Sequence, residues 1–396
     1  MMKIRVGVIF GGESVEHEVS IISAIQAMKA INSNKYEIVP IYISKEREWY
    51  TGNLLKDIDN YKDLDNLKKF ATKVVLYNKG NRFILQSKGC FKRMVNEIDI
   101  AFPIVHGTNV EDGTLQGYLS ILGIPYVGSH VASSAVGQDK VFMKQIFAAE
   151  DIPIADYLWF FENEYLDNTD EILKKIDKLG YPVMVKPATL GSSIGITKVN
   201  QKENIQSAIE EALQYDNKVI IEEVVNNLVE VNCSVLGNYE YQQTSEIEEV
   251  ISSDEFLTYQ DKYMGNAKGS KSKGMASTNR VIPARIDDEM RKEVRRLAKE
   301  VFRVLNTAGV ARVDFLIDNK KNKIYVTEIN TIPGSLAFYL WDPIGKSYPD
   351  LLDELISLAI RDYKKQGKIV YTFNNNLLNN FGGLKGCKGI KGKLGR

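Results

Sequence analysis

The chain opens on an apolar run, Lys3 to Phe10 (KIRVGVIF), the pattern of a strand buried on both faces. Gly11-Gly12-Glu13-Ser14 interrupts it, after which Ile21, Ile25, Met28 and Ile31 recur at helical spacing. A second apolar run, Glu37 to Ile43 (EIVPIYI), predicts another strand. Strand, glycine turn, helix, strand is a βαβ unit, which implies a parallel sheet. Ile98 to Ile104 (IDIAFPI) predicts a further strand. Behind it come His106-Gly107 and then Glu111-Asp112-Gly113-Thr114, which opens a helix bearing Leu115, Leu119 and Leu122.

From Gln138 the pattern alternates: a helix from Asp139, a strand near Tyr157, a helix from Asp170, a strand at Tyr181 to Lys186, a helix from Lys202 and a strand at Lys218 to Val224. A third region combines several strands with one long amphipathic helix, Asp287 to Leu305, and a hairpin. The expected class is α/β, in part α+β, with an amino-terminal parallel sheet. The expected units are 1–137, 138–225 and 226–371, followed by a basic, low-complexity tail, 372–396, in which no acid follows Asp362.

The hairpin carries the first candidate chemistry. In ARVDFLIDNKKNKIYVTEINTIPGS, Ala311 to Ser335, Val313, Phe315 and Ile317 alternate with Arg312, Asp314 and Leu316. Residues i and i+2 share a face of a strand, so Arg312 pairs with Asp314, and Glu328 with Asn330. A tight closure at Asn319 to Asn322 sets the two pairs opposite each other. Two carboxylates and an amide oxygen are hard ligands of the type magnesium takes beside phosphates. A solvated strand face with accidental spacing reads the same way locally.

The second is VKPATLGSSIGITKV, Val185 to Val199. A strand delivers Lys186 to a loop of small residues, Gly191-Ser192-Ser193-Ile194-Gly195. Backbone N–H groups there can cradle phosphate oxygens, and a lysine adds a point charge. It is not a Walker A loop, and an ordinary hairpin loop uses glycines too. Lys140 is a second candidate phosphate contact. Glu222-Glu223 at the end of an apolar strand suits an adenine and ribose as well as a plain charged terminus. Glu16-His17-Glu18 and His106 follow strand ends, where α/β sheets bind ligands. Lys262 and Tyr263 open a long Lys/Gly/Ser loop of the kind that is either a functional lid or disordered.

Composition narrows the classes. The 396 residues carry 51 basic and 51 acidic side chains, a balance that favours neither nucleic acid nor a membrane surface. Three cysteines at unrelated spacing suggest neither zinc nor a disulfide framework, so a reducing cytoplasm is expected. No apolar run has the length of a membrane span.

Taken in order, FGGESVEHEVSIIS, VHGTNVEDGTLQG, VKPATLGSSIGITKV, the stretch Tyr259 to Tyr263, ARVDF and EINTIPGS resemble the D-alanine–D-alanine ligase family of the ATP-grasp superfamily, over roughly the first 360 residues. The resemblance implies a three-domain ATP-grasp fold, ATP with two magnesium or manganese ions, D-alanine as substrate, and a homodimer. It implies that Glu16 holds the first substrate's ammonium and joins Ser192 and Tyr263 in a hydrogen-bonded triad, with His106 and Glu111 lining that side. By the same resemblance Lys140, Lys186 and Lys262 contact phosphates, Ser192 and Ser193 form the phosphate loop, Glu223 and Val225 the adenine strand, and Glu230 binds ribose. Asp314, Glu328 and Asn330 match metal ligands. Arg312 and Gly334 match the groups that stabilise the oxyanion, and Ser335 and Leu336 those that hold the second substrate's carboxylate. The sequence departs from several members at one point: Gly334 joins Ser335-Leu336 directly, where those have extra residues, and the chain continues AFYLWDP. That shortened junction motivates the alternative of a different acceptor, such as D-serine, D-lactate or another amine.

Overall fold

In the computed structural model, which describes residues 3–191, 194–251 and 280–372, the apolar runs become three sheets. The first contains β1 (Ile4–Gly11), β2 (Tyr36–Ile43), β3 (Trp49–Thr51), β4 (Thr72–Lys79), β5 (Arg82–Ser87), β6 (Met94–Ile98) and β7 (Ile100–Pro103), in the order β6-β5-β4-β3-β2-β1-β7. β1 pairs in parallel with both β2 and β7, and the helix His17–Ala30 makes the crossover, as the βαβ pattern predicts. The remainder is antiparallel.

The expected single strand at Ile98 to Ile104 is two strands. Asp99 breaks it. Its carboxylate accepts from the backbone N of Arg5 at 2.7 Å and from that residue's guanidinium at 3.0 and 2.6 Å. This fork–fork pair holds the chain at a corner, so β6 joins the antiparallel side while β7 joins β1.

The second sheet has β8 (Tyr157–Phe161), β9 (Val183–Pro187), β10 (Thr197–Val199) and β11 (Lys218–Glu223) in the order β10-β9-β11-β8, all antiparallel. The third has β12 (Leu228–Gly237), β13 (Gln242–Val250), β14 (Arg280–Val281), β15 (Gly309–Asp318) and β16 (Lys323–Asn330), in the order β14-β13-β12-β15-β16.

The two faces of the third sheet have opposite characters. Val231, Cys233, Val235, Ile247, Val313, Phe315 and Ile317 are fully buried and form one cluster with Val294, Leu297, Ala298 and Val301 of the helix Asp288–Val304. Burying each such side chain contributes roughly 1.5–3 kcal/mol. This packing commits the alternate residues of β12 and β15 to the other face. There lie Asn232, Ser234, Arg312 and Asp314.

Two helices tie the sheets together. The helix Lys140–Ala149 places Val141 against Ala188 and Ile220 of the second sheet, and Met143 and Phe147 in the core of the third. The closing helix, Tyr348–Gln366, was not anticipated. Its Leu351, Leu352, Leu355 and Ile356 complete the core of the first sheet, together with Trp341.

Candidate functional site

On β15 and β16, Arg312 lies opposite Asn330 and Asp314 opposite Glu328. This juxtaposition depends on one irregularity. Beyond it, Phe315 pairs with Val326, so Thr327 is an extra residue on β16. Without the bulge, Glu328 would face Val313 and point at the helix Asp288–Val304. A one-residue insertion exchanges the faces and brings both polar pairs to the open side. The Thr327 hydroxyl donates to the carbonyl of Asp314 at 2.8 Å and pins the bulge.

The side chains there are organised. Arg312 donates bidentately to Asp314, Nε to Oδ1 at 2.6 Å and Nη2 to Oδ2 at 2.7 Å. Asn330 Nδ2 donates to Asp314 Oδ2 at 3.0 Å. Burial would lower the Arg312 pKa, but the charge of Asp314 outweighs it and keeps the guanidinium well above its ordinary value. Among the described residues, no group of three or more His, Cys, Asp or Glu is placed to hold a metal, so a cation here would rest on two carboxylates and the Asn330 amide.

The middle region contributes lysines. Lys140 follows Asp139, whose carboxylate accepts from the backbone N of Val141 and Phe142 at 3.0 and 3.1 Å and caps the helix. Its Nζ donates to the carbonyl of Leu190 at 2.8 Å and stands 3.7 Å from Glu328 Oε2. One turn later on the same helix face, Lys144 is 1% exposed and 3.1 Å from Glu222 Oε1. Glu222 Oε2 receives Lys186 at 2.6 Å. Burial would raise the Glu222 pKa, but the two lysines outweigh it and hold the group at about 2. Burial would lower that of Lys186, but Glu222 raises it above the ordinary value. In the sequence, Glu223 carries the adenine-strand assignment. In the structure Glu222 is the residue that turns toward Lys186, since it alternates with Ile221 and Glu223 on β11. Glu223 contributes its backbone N to Asp156 O at 2.9 Å, and Val225 is half-buried in the loop beyond. Glu230 stands on the site face of β12, and its charge reaches Lys186.

The first sheet supplies the third wall. Glu16 is buried beside two glycines: a Cβ on Gly107 would come to 2.8 Å from Glu16 Oε2, and one on Gly191 to 3.1 Å. Glu111 accepts from the backbone N of Gly107 at 3.0 Å and of Ile332 at 2.9 Å. Burial first, and then the charge of Glu16, push its pKa up to about 8. His106 bonds the carbonyl of Ile332 at 2.9 Å and Ser23 Oγ at 3.1 Å, and burial lowers its pKa to about 4. Past the half-buried Gly334, Ser335, Leu336 and Ala337 are buried and all have positive φ, 52°, 55° and 49°. Three successive left-handed L residues are costly and mark a segment held by its surroundings. Ser192, Ser193, Lys262 and Tyr263 lie outside the described residues.

Sequence reading missed Lys144, Glu222 as a site-facing carboxylate, and the contacts of the closing segment. Lys144 could have been found from its i+4 spacing to Lys140. The others depend on pairing partners far away in the chain.

Two family models match the chain, "D-ala D-ala ligase N-terminus" over residues 5–129 and "D-ala D-ala ligase C-terminus" over residues 146–357. A D-alanine–D-alanine ligase of Thermosipho melanesiensis is 40% identical over 376 residues, covering 95% of this chain and 98% of that protein. Among solved structures, the VanG D-Ala:D-Ser ligase of Enterococcus faecalis superposes with a TM-score of 0.75 at 33% identity, covering 90% of this chain and 100% of that one. The Bacillus anthracis D-alanine–D-alanine ligase complexed with ATP superposes with a TM-score of 0.65 at 28% identity, covering 92% and 100%.

Proposed function

Because this chain belongs to the D-alanine–D-alanine ligase family, we propose that it joins two D-alanines into D-alanyl-D-alanine at the expense of ATP. The carboxylate oxygen of the first D-alanine attacks the γ-phosphorus and ADP leaves, giving an acyl phosphate. The amine of the second attacks the acyl carbon, a proton is lost from nitrogen, and phosphate departs. The product is a building block of peptidoglycan.

The observation that carries this reading is the meeting of three walls at one place. The Gly191 loop lies against Glu16, Lys140 faces Glu328, and Glu111 binds the strand end at Ile332. Phosphoryl transfer needs positioning and charge neutralisation more than covalent help, and each wall brings charged groups for it. In this proposal Glu16 receives the first ammonium, with His106 and Glu111 behind it. Lys140 and Lys186, with Lys262 and the Ser192-Ser193 loop, hold the phosphates. Glu223, Val225 and Glu230 take adenine and ribose. Arg312, with the backbone of Gly334, stabilises the oxyanion of the tetrahedral intermediate. Ser192 and Tyr263 complete the triad with Glu16, and Ser335 and Leu336 face the acceptor.

The Asp314, Glu328 and Asn330 donors fit two magnesium or manganese ions, since all three present hard oxygens. Bound there, the ions would neutralise phosphate charge. The units 1–137, 138–225 and 226–371 serve as the three domains, in a cytoplasmic homodimer. D-alanine stands as acceptor because relatives about 40% identical to this chain are named for it.

The test is ATP-dependent phosphate release with magnesium and D-alanine alone, the product identified by mass. D-alanyl-D-alanine formed in step with phosphate supports the reading. ATP binding with no dipeptide, and with turnover only on another acceptor, overturns it.

A further inference from the structure

The even charge balance of the whole chain hides a local excess. From Asn66 to Asn96 there are eight basic residues and no acidic one. This stretch builds the ribbon β4 to β6 and the helix Leu64–Phe70 that enters it. At one end of the ribbon the turn 88–93, which joins β5 to β6, lies beside the start of β4. The backbone N of Lys88 donates to the carbonyl of Lys73 at 2.9 Å.

Ser87 fixes the shape of that turn. Its backbone N donates to the carbonyl of Arg93 at 3.0 Å, its Oγ donates to the carbonyl of Phe91 at 3.0 Å, and the same oxygen accepts from the backbone N of Arg93 at 3.1 Å. With the backbone bonds closed inward, the side chains of Lys88, Phe91, Lys92 and Arg93 are left in solvent. Phe91 is 91% exposed, Phe70 at the end of its helix is 67% exposed, and Met94 is 55% exposed. Large apolar side chains gain by leaving water, and nothing within the chain takes these three out of it.

The charges around them are only partly answered. Lys68 and Lys73 pair with Glu46 and Glu48. Lys88, Lys92 and Arg93 form no ion pair among the described residues. Lys69 stands 5.8 Å from the centroid of the Phe70 ring. Aromatic tips ringed by basic side chains are what an anionic membrane surface accepts: the rings enter the boundary between headgroups and acyl chains, and long cationic side chains reach up to lipid phosphates.

We propose that this end of the ribbon docks on an anionic lipid bilayer, with Phe70 and Phe91 in the interfacial layer and Lys88, Lys92 and Arg93 on lipid phosphates. Other partners fit less well. A second copy in a two-fold contact would set the patch against itself, basic on basic. A nucleic acid strand is gripped in a basic groove with rings for its bases, whereas these rings stand on projecting ends of the chain.

Vesicle flotation tests this. Full-length protein is mixed with vesicles of phosphatidylcholine alone, or of an equal mixture with phosphatidylglycerol. Binding is expected to the anionic vesicles only, and to fall as sodium chloride is raised. The combined variant Lys88→Gln, Lys92→Gln and Arg93→Gln is expected to partition about 100-fold more weakly, the worth of three basic side chains. Phe91→Ser keeps every charge and is expected to weaken partitioning about tenfold. Melting temperatures and dipeptide formation in solution stay at wild-type levels in both, because these side chains lie outside the proposed site. Truncation after Tyr371 removes the other basic segment, 372–396, and leaves vesicle binding in place. Wild-type protein that binds no vesicle, or that binds mixed-sequence RNA but no vesicle, overturns the inference. So does a triple variant that floats like the wild type, or binding lost only on the tail truncation. A change of oligomeric state in the variants, read by sedimentation, assigns the patch to a contact between copies and overturns it as well.

Discussion

Glu222 carries two lysines on one carboxylate, and the charge balance around it is the sharpest residue-level feature of the site. Lys144→Met leaves Lys186 as the ion-pair partner of Glu222 among the described residues and removes one positive charge from the proposed phosphate side. The expected result is a KM for ATP raised about tenfold, with the KM for D-alanine little changed, in steady-state assays. Glu328→Gln removes one candidate metal carboxylate. Turnover at limiting magnesium is expected to fall about 10- to 100-fold and to recover in part as magnesium is raised. Normal activity at limiting magnesium would dismiss the metal role. His106 gives a pH prediction. Its folded pKa is lowered to about 4 by burial, against an ordinary 6.5, so the folded state prefers the neutral ring. That contribution is fully present above pH 6.5 and is lost as pH falls through about 4. Melting temperatures measured from pH 7 to 4 are expected to drop more steeply for the wild type than for His106→Gln. These residues differ in how far the sequence disclosed them. Asp314, Glu328 and Asn330 were legible because strand alternation states which residues share a face. Glu222 was ambiguous because two adjacent glutamates end one strand, and only the sheet's packing chooses between them.

At the scale of elements, the bulge at Thr327 decides whether the hairpin is a site. The alternation of β15 is regular and readable, and the apolar alternation of β16 runs in the same period up to Val326. Regular pairing from that point would have buried Glu328. Deleting Thr327 lets Glu328 follow Val326 directly and stay opposite Asp314 in regular pairing, so the faces are kept and turnover is expected to persist within about tenfold of the wild type. Thr327→Val keeps the residue count and loses only the hydroxyl that bonds Asp314, so it is expected to retain measurable turnover. Denaturant titration with parallel assays separates the two. A stable deletion variant without turnover would show that the bulge does more than set which face Glu328 takes. The sequence marked the elements themselves well. The helix Asp288–Val304 and the βαβ unit fell within a residue or two of expectation, because their apolar periods are long and unbroken. The antiparallel ribbon β4 to β6 did not, because short strands of mixed polarity give no period to read.

For the whole molecule, the closing helix Tyr348–Gln366 is the tie between the last segment and the first sheet. Leu355→Ala removes a side chain that is 1% exposed from that seam and is expected to cost about 2–5 kcal/mol, read as a lowered denaturant midpoint. Truncation after Tyr371 leaves the helix whole and is expected to preserve kcat. A large loss on that truncation would assign the basic tail a role in catalysis.

By itself the sequence determined the class of the fold, the existence of the polar hairpin face, the glycine loop behind Lys186 and the family. Those properties follow from periodicity and from ordered motifs, which are local. Tertiary structure alone decided that Lys140 meets Glu328, that Glu222 rather than Glu223 faces the lysines, and that Thr327 is the extra residue. Each of these is a contact between distant segments, set by which faces the three cores bury, and no local pattern encodes that choice.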